Sequence, residues 1–341
     1  MIPLRLAIRG LEISLRSRGH RVPVLHGIDL SVAPGEIHCV AGESGSGKTV
    51  TCRGALRLLG TPPFHYDAGE VLLDGRDLQR LSGRELRNVW GRRVGLVFQE
   101  PGTALNPSLT VETQLGEHIS RHLGLSPSAV RTRSLELLRG VELTNPELLL
   151  RRYPHELSGG MQQRLGIAVA AACGPDLLVA DEPTSSLDVL IQDQILKLFL
   201  EVRRKQQLSI LFVTHDLGVV ERIADRVSIL YAGRIVESAP REAIFGRPLH
   251  PYTALLLAAV PRPGHPGRRL ATIPGTPPLP EAVPGGCPFH TRCPMAKEVC
   301  RRELPVLEGK PGSGEAHRVA CHFPGSLQVS GDPGNSQGAD G

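Results

Sequence analysis

The chain has 341 residues, 40% of them hydrophobic and 21% charged, with a formal net charge of +5. This is a soluble globular composition with length for about two domains. No apolar run approaches the ~18 residues of a membrane span, the start MIPLRLAIRG lacks a signal-peptide core, and the modest charge without a basic run gives no reason to expect nucleic acid. The expectation is a protein in the cytosol, or held at a membrane only through partners, in which seven cysteines do not form a disulfide framework.

In chain order, Leu11, Ile13 and Leu15 alternate with Glu12, Ser14 and Arg16, and Ile28, Leu30 and Val32 alternate with Asp29 and Ser31. Both stretches predict half-buried strands. EIHCVA (36–41) predicts a further strand and VTCRGALRLL (50–59) a helix ending at Gly60. Between them GESGSGKT (42–49) fits G-x-x-x-x-G-K-[ST], the phosphate-binding loop. Gly42, Gly45 and Gly47 let the backbone turn, and the amides of Glu43, Ser44 and Ser46 with their neighbours form an anion nest ahead of a helix start. Lys48 is expected to reach the β/γ-phosphates and Thr49 to ligate Mg²⁺, with Val50 next to them. GEVLLDGRDL (69–78) and RRVGLVFQ (92–99) add strands to a mixed sheet.

From 103 to about 157 the pattern turns helical, with Leu115, Ile119 and Leu123 at i+4 spacing. Ser126-Pro127 and Asn145-Pro146 each set a capping residue before an N1 proline. LSGGMQQR (157–164) opens an Ala-rich helix through Cys173. LLVADEP (177–183) predicts a strand buried on both faces, with Asp181 and Glu182 at its C-terminal end, the ligand side of a parallel sheet. Ile191, Ile195, Leu198 and Val202 mark an amphipathic helix. ILFVTHD (210–216) predicts a second buried strand ending at His215, and VSILYAGRIVES (227–238) a hairpin turning at Ala232-Gly233. A helix near 252–259 precedes the linker-like PRPGHPG, and disorder is expected from about 325. Cys39, Cys52 and Cys173 read as small apolar residues. Cys287-x5-Cys293-x6-Cys300-x20-Cys321 suits an iron–sulfur cluster or tetrahedral zinc, and the spacing does not choose between them. His290 and His322 lie near enough in sequence to compete as ligands.

The order of phosphate loop, Gln99, LSGGM, Asp181-Glu182, SLD (186–188) and His215 resembles the ATP-binding subunit of an ABC transporter over residues 1–323. The resemblance implies an α/β fold: a P-loop NTPase of the ABC type with an antiparallel β-subdomain, a helical insertion and a Cys-containing C-terminal extension. The expected divisions are 1–102 with 158–240, 103–157, 241–323 and a disordered tail at 324–341. It implies that Asp181, Thr49 and Gln99 hold Mg²⁺, that Glu182 is the general base, and that His215 orients water and γ-phosphate. It implies that Ser158, Gly159 and Gly160 cap ATP bound to a second such subunit, with Asp188 communicating across that interface. In this family an aromatic residue upstream of the loop stacks on adenine; none occurs before Phe64, leaving His20 or Arg18 as substitutes.

QEPGTALNP (99–107), HPYTALLLAAVP (250–261) and GCPFHTRCPMAKEVC (286–300) with Cys321 are similar to the oligopeptide, dipeptide and nickel importer branch. That branch implies ATP-driven peptide import, at the cytoplasmic face, with two membrane-spanning permease subunits, a second ATPase subunit and an extracytoplasmic substrate-binding protein. Its members carry a [4Fe–4S] cluster at cysteines spaced like Cys287, Cys293, Cys300 and Cys321. Nickel or glutathione import and a soluble ABC ATPase outside any transporter are the alternatives. Because the tail is Pro-rich and poor in apolar periodicity, it is expected to bury little surface and to need a metal to fold. The metal site lies far in sequence from Lys48, Asp181 and Glu182, and its loss is expected to affect the ATP chemistry less than assembly.

Overall fold

The structure, a computed structural model, describes residues 4–17, 19–260, 272–309 and 316–327. Arg18, PRPGHPG and the Gly/Ser-rich end from 328 lie outside the described residues. Strands β1 (Leu6–Ser17) and β2 (His20–Val32) pair antiparallel. Strand β3 (Ile37–Ala41) then feeds the phosphate loop and helix α1 (Lys48–Ala55). β4 (Phe64–Leu73) and β5 (Arg76–Asp77) complete a four-stranded antiparallel sheet in the order β2-β1-β4-β5. The strands at the start of the chain therefore form a sheet of their own rather than joining one mixed sheet. Helix α1 ends sooner than the expected 59, because Arg57 turns left-handed (φ 54°) and its guanidinium donates to the carbonyl of Leu81 at 2.8 Å.

Helix α2 (Gly83–Val89) opens on a capping box between Ser82 and Glu85, and β6 (Val94–Val97) enters the second sheet. The predicted helical segment contains α3 (Pro101–Ala104), α4 (Val111–Leu123), α5 (Pro127–Gly140) and α6 (Pro146–Leu149). α4 buries Val111, Leu115 and Ile119, one stripe at i+4 spacing. Ser126 caps α5 by accepting from the Ala129 amide. Asn145 does not cap α6: it is left-handed (φ 52°) and its side chain makes no capping bond, a conformation Asn tolerates.

Helix α7 (Gly159–Ala171) leads to β7 (Leu177–Asp181), then α8 (Val189–Gln206), β8 (Ser209–Thr214), α9 (Leu217–Ile223), β9 (Arg226–Tyr231) and β10 (Arg234–Pro240). Every residue of β3, β7 and β8 is buried, as parallel strands covered on both faces require. Parallel pairing aligns Ala41 with Thr214 and Asp181 with Val213, so the C-terminal ends of β3, β7 and β8 share one rim. The β9–β10 turn uses Ala232 (φ 46°) and Gly233 (φ 72°), where a Cβ on Gly233 would stand 2.0 Å from the Val24 carbonyl oxygen. This turn docks the antiparallel sheet on the core: the His26 amide donates to Gly233 O at 3.0 Å.

The C-terminal region is built into the same body. α10 (Arg241–Gly246), α11 (Pro251–Ala258) and α12 (Glu298–Arg302) precede β11 (Glu308–Gly309) and β12 (Arg318–Val319), and β12 pairs with β10 to extend the core sheet to β11-β12-β10-β9-β3-β8-β7-β6. Phe289, Cys287 and Cys300 pack into the main core. The expectation of a tail with little to bury is thus corrected: its apolar residues find Tyr231 and Tyr252 as partners, which no local periodicity announces.

Glu237 fastens this region. Its carboxylate is fully buried and accepts from the Leu249 amide (2.7 Å), the His250 amide (3.0 Å) and His317 Nε2 (2.7 Å). Glu237→Ala leaves these donors in a dry site and should cost about 3–5 kcal/mol of stability. Urea unfolding checks this; a loss below about 1 kcal/mol would mean that β12 pairing alone holds the extension.

Candidate functional site

The rim of the parallel sheet gathers the residues singled out by motif. Gly42 has no room for a side chain, since a Cβ would meet Leu230 O at 2.2 Å. Lys48 Nζ donates to the carbonyls of Gly42 and Glu43, both at 3.0 Å, and lies 3.6 Å from Glu182 Oε1. Burial pushes the Lys48 ammonium below its ordinary pKa, against the opposing pull of Glu182, Asp181 and Glu43. Thr49 Oγ1 donates to Asp181 Oδ1 at 2.9 Å, which sets two hard oxygen donors side by side, the chemistry Mg²⁺ selects. Asp181 is fully buried, and its other oxygen accepts from Arg53 Nε at 3.0 Å. Arg53, in the last turn of α1, escaped the sequence reading.

Glu182 is left-handed (φ 48°), a conformation that costs a non-glycine residue roughly 1–2 kcal/mol and concentrates at functional sites. Its amide donates to Val213 O at 2.9 Å, holding the turn against β8. Its Oε2 is 3.1 Å from Nδ1 of His215. Glu182 is only 14% exposed and His215 53% exposed, so the pair spans from the protein to an open cleft. That cleft is lined by Gly42, Glu43, Ser44, Gln99, Glu182 and His215, together with Glu100, Ser185, Ser186 and Leu256. Gly45, Ser46 and Gly47 complete the loop behind it, and Val50 packs against the core of the antiparallel sheet. His20, a candidate for adenine, is exposed at the start of β2.

Ser158, Gly159, Gly160 and Asp188 do not line this cleft. Ser158 caps α7 and Asp188 caps α8, its Oδ1 accepting from the Ile191 amide at 2.9 Å. Beside Asp188, Val189 and Leu190 are 80% and 78% exposed.

Cys287, Cys293, Cys300 and Cys321 line one pocket with His250, His290 and His322. Among the described residues, no group of three His, Cys, Asp or Glu side chains stands ready to hold a metal ion. The pocket nevertheless sets four sulfur donors around one space. The Phe323 amide donates to Cys321 Sγ at 3.4 Å, and the Cys287 amide donates to Cys300 O at 2.8 Å. His250 Nδ1 accepts from the Tyr252 amide, so Nε2 carries the proton, and it is buried without an acceptor on the wall of this pocket. Burial pushes the Cys287 thiol up to about 11 and the Cys321 thiol up to about 12, and raises that of Cys293. His290 and His322 each donate to a backbone carbonyl, of Cys287 and Glu303 respectively.

The cysteine segment, far from the phosphate loop in sequence, touches it in space. Arg292 forms a bidentate ion pair with Glu43, and Tyr252 Oη accepts from the Glu43 amide at 2.9 Å. Neither contact had a signal in the sequence.

Comparison with known proteins agrees with this geometry. The ABC transporter family model matches residues 25–185, and the model for the oligopeptide/dipeptide transporter C-terminal region matches residues 236–300. The chain is 44% identical to the dipeptide transport ATP-binding protein DppD of Bacillus subtilis (strain 168), with 93% of each chain covered. It is 44% identical to the oligopeptide transport ATP-binding protein OppD of the same organism, covering 89% of this chain and 85% of the relative. It is 43% identical to DppD of Escherichia coli (strain K12), covering 87% and 90%. Among solved structures, the dimeric post-hydrolysis ATP-binding cassette MJ0796 bound to ADP and Pi aligns with a TM-score of 0.62 at 27% identity, covering 69% of this chain and 98% of that one.

Proposed function

The chain belongs to the ABC transporter family of ATP-binding proteins, and from that premise we propose that it is the subunit whose ATP hydrolysis energises import of dipeptides or oligopeptides. The observation that carries the reading is one rim on which Glu182 touches Lys48 and His215 while Thr49 touches Asp181, in a chain whose C-terminal region matches peptide transporters. Lys48 engages the β/γ-phosphates, and Thr49 and Asp181, with Gln99, hold Mg²⁺, which neutralises phosphate charge when bound. Glu182 accepts a proton from the attacking water, and His215 orients that water. The signature residues Ser158, Gly159 and Gly160, with Asp188, serve the nucleotide of a second ATPase subunit. Their position outside the cleft supports this.

Among the described residues no helix is long and apolar enough to cross a membrane. The reading therefore requires two permease subunits, at whose cytoplasmic face this chain docks, and an extracytoplasmic binding protein that selects the peptide. The test is co-purification of the full chain with its membrane subunits, reconstituted in vesicles. Peptide-loaded binding protein should stimulate ATP turnover and drive peptide uptake. Turnover indifferent to peptide and binding protein, in a complex that hydrolyses ATP, would sink the transport reading while sparing the ATPase.

The four C-terminal cysteines hold a [4Fe–4S] cluster in this reading, supported by their common pocket and by the unpaired His250 donor on its wall. Anaerobic preparation should give a brown protein with about four irons per chain, and Cys293→Ser should lose most of that iron. One zinc and no iron would replace the cluster with a metal ion; neither metal, with four freely titrating thiols, would remove the ligand role.

A further inference from the structure

One charged side chain of the cysteine segment reaches into the phosphate loop. Arg292 precedes Cys293, and its side chain is 3% exposed. Nη1 donates to Glu43 Oε2 at 2.6 Å and Nη2 to Oε1 at 3.0 Å. Nη1 also reaches Tyr231 Oη at 3.3 Å, and Nε donates to Pro274 O at 2.8 Å. Glu43 is the second residue of the loop, and its other polar groups are engaged as well. The amide donates to Tyr252 Oη at 2.9 Å, and the carbonyl accepts from Lys48 Nζ at 3.0 Å. The fully buried Phe289 ring packs against Tyr231 and Tyr252 with centroids 5.3 and 5.2 Å away, so the backbone carrying Arg292 is wedged against the residues that hold the loop.

A carboxylate on the second residue of a loop built for a triphosphate opposes its ligand unless neutralised. A buried guanidinium fork neutralises it and fixes its direction at once. We propose that Arg292 is a positioning residue for nucleotide binding: it cancels the Glu43 charge and sets the loop, so nucleotide affinity depends on the cysteine segment remaining docked. Whatever holds Cys287 and Cys293 in register also holds Arg292 between them. Coupling is reciprocal, so bound nucleotide tightens the docking of the cysteine segment. This inference rests on the ATPase reading.

The experiment measures MgATP affinity and amide hydrogen exchange on the full chain. Arg292→Met exposes the phosphates to the Glu43 carboxylate and should weaken MgATP binding about tenfold, the scale of a lost charge-assisted contact. Adding Glu43→Gln removes that carboxylate, and the double variant should return to within about threefold of wild type; a merely structural role for Arg292 predicts no such rescue. In the wild-type protein MgATP should slow exchange across residues 286–300. A folded Arg292→Met variant with affinity within about twofold of wild type, or a double variant as weak as the single one, overturns the proposal. Should Arg292→Met not fold, the wild-type measurement decides: MgATP that binds without slowing exchange in 286–300 also overturns it. A wild-type chain that binds no MgATP fails at the earlier step, the ATPase reading itself, and is told apart by that first titration.

Discussion

Glu182→Gln is expected to retain MgATP and to lower its hydrolysis by roughly 10²–10⁴-fold. Two carboxylates stand at the end of β7, and their surroundings assign them different work. Asp181 is fully buried, with one oxygen on Thr49 and the other on Arg53. Glu182 faces the cleft from a left-handed turn, between Lys48 at 3.6 Å and His215 at 3.1 Å. Of the two, only Glu182 lines the cleft and touches a histidine there. Glutamine preserves the shape and the contact with His215 but removes the basic lone pair, so the chemical step fails and binding survives. Steady-state turnover with a parallel nucleotide-binding titration checks this. Turnover within about threefold of wild type would refute the assignment. Affinity lost in step with turnover would point to a binding role instead.

What was legible in the chain was local. Glycine spacing in 42–49 fixed the phosphate loop, and period-two alternation fixed β1 and the second half of β2. Unbroken apolar runs identified β7 and β8 as strands covered on both faces, and this placed Asp181, Glu182 and His215 on the ligand rim. What was not legible depended on approach in space. Arg53 and Asp181 are 128 positions apart, and Arg292 and Glu43 are 249 apart. No periodicity links such pairs. The left-handed turn at Glu182 was hidden because a Glu carries no mark of that conformation, unlike a glycine. The C-terminal extension misled for a related reason. A window of sequence without an amphipathic period looks unable to build a core, yet Phe289 is fully buried in the main core and Val319 is fully buried where β12 pairs with β10.

The second large effect is expected at Gly159, where the cost is borne between chains rather than within one. Ser158 caps α7, so its hydroxyl already has a role inside this polypeptide. Gly159 has none: a Cβ placed there meets nothing within 4 Å. Folding alone therefore tolerates a side chain at this position. The helix start that Gly159 opens attracts anions, and the cleft lined by Glu43, Glu182 and His215 does not include it. In the proposed reading a phosphate from another subunit sits at this helix start. Gly159→Asp should leave the fold intact and the affinity of the isolated chain for MgATP within about twofold. In the assembled complex it should lower hydrolysis at the composite site by roughly 10² or more, because it both removes anion stabilisation and adds a negative charge where γ-phosphate would arrive. Chains carrying Gly159→Asp and Lys48→Ala, each deficient alone, should recover part of the activity when mixed if two copies pair. If they do not recover, the same substitution belongs in the complex with a distinct second ATPase subunit, where it should silence only the nucleotide on that partner's loop. An isolated monomer whose MgATP affinity falls as far as its turnover would place Gly159 in the chain's own site and end the shared-nucleotide reading.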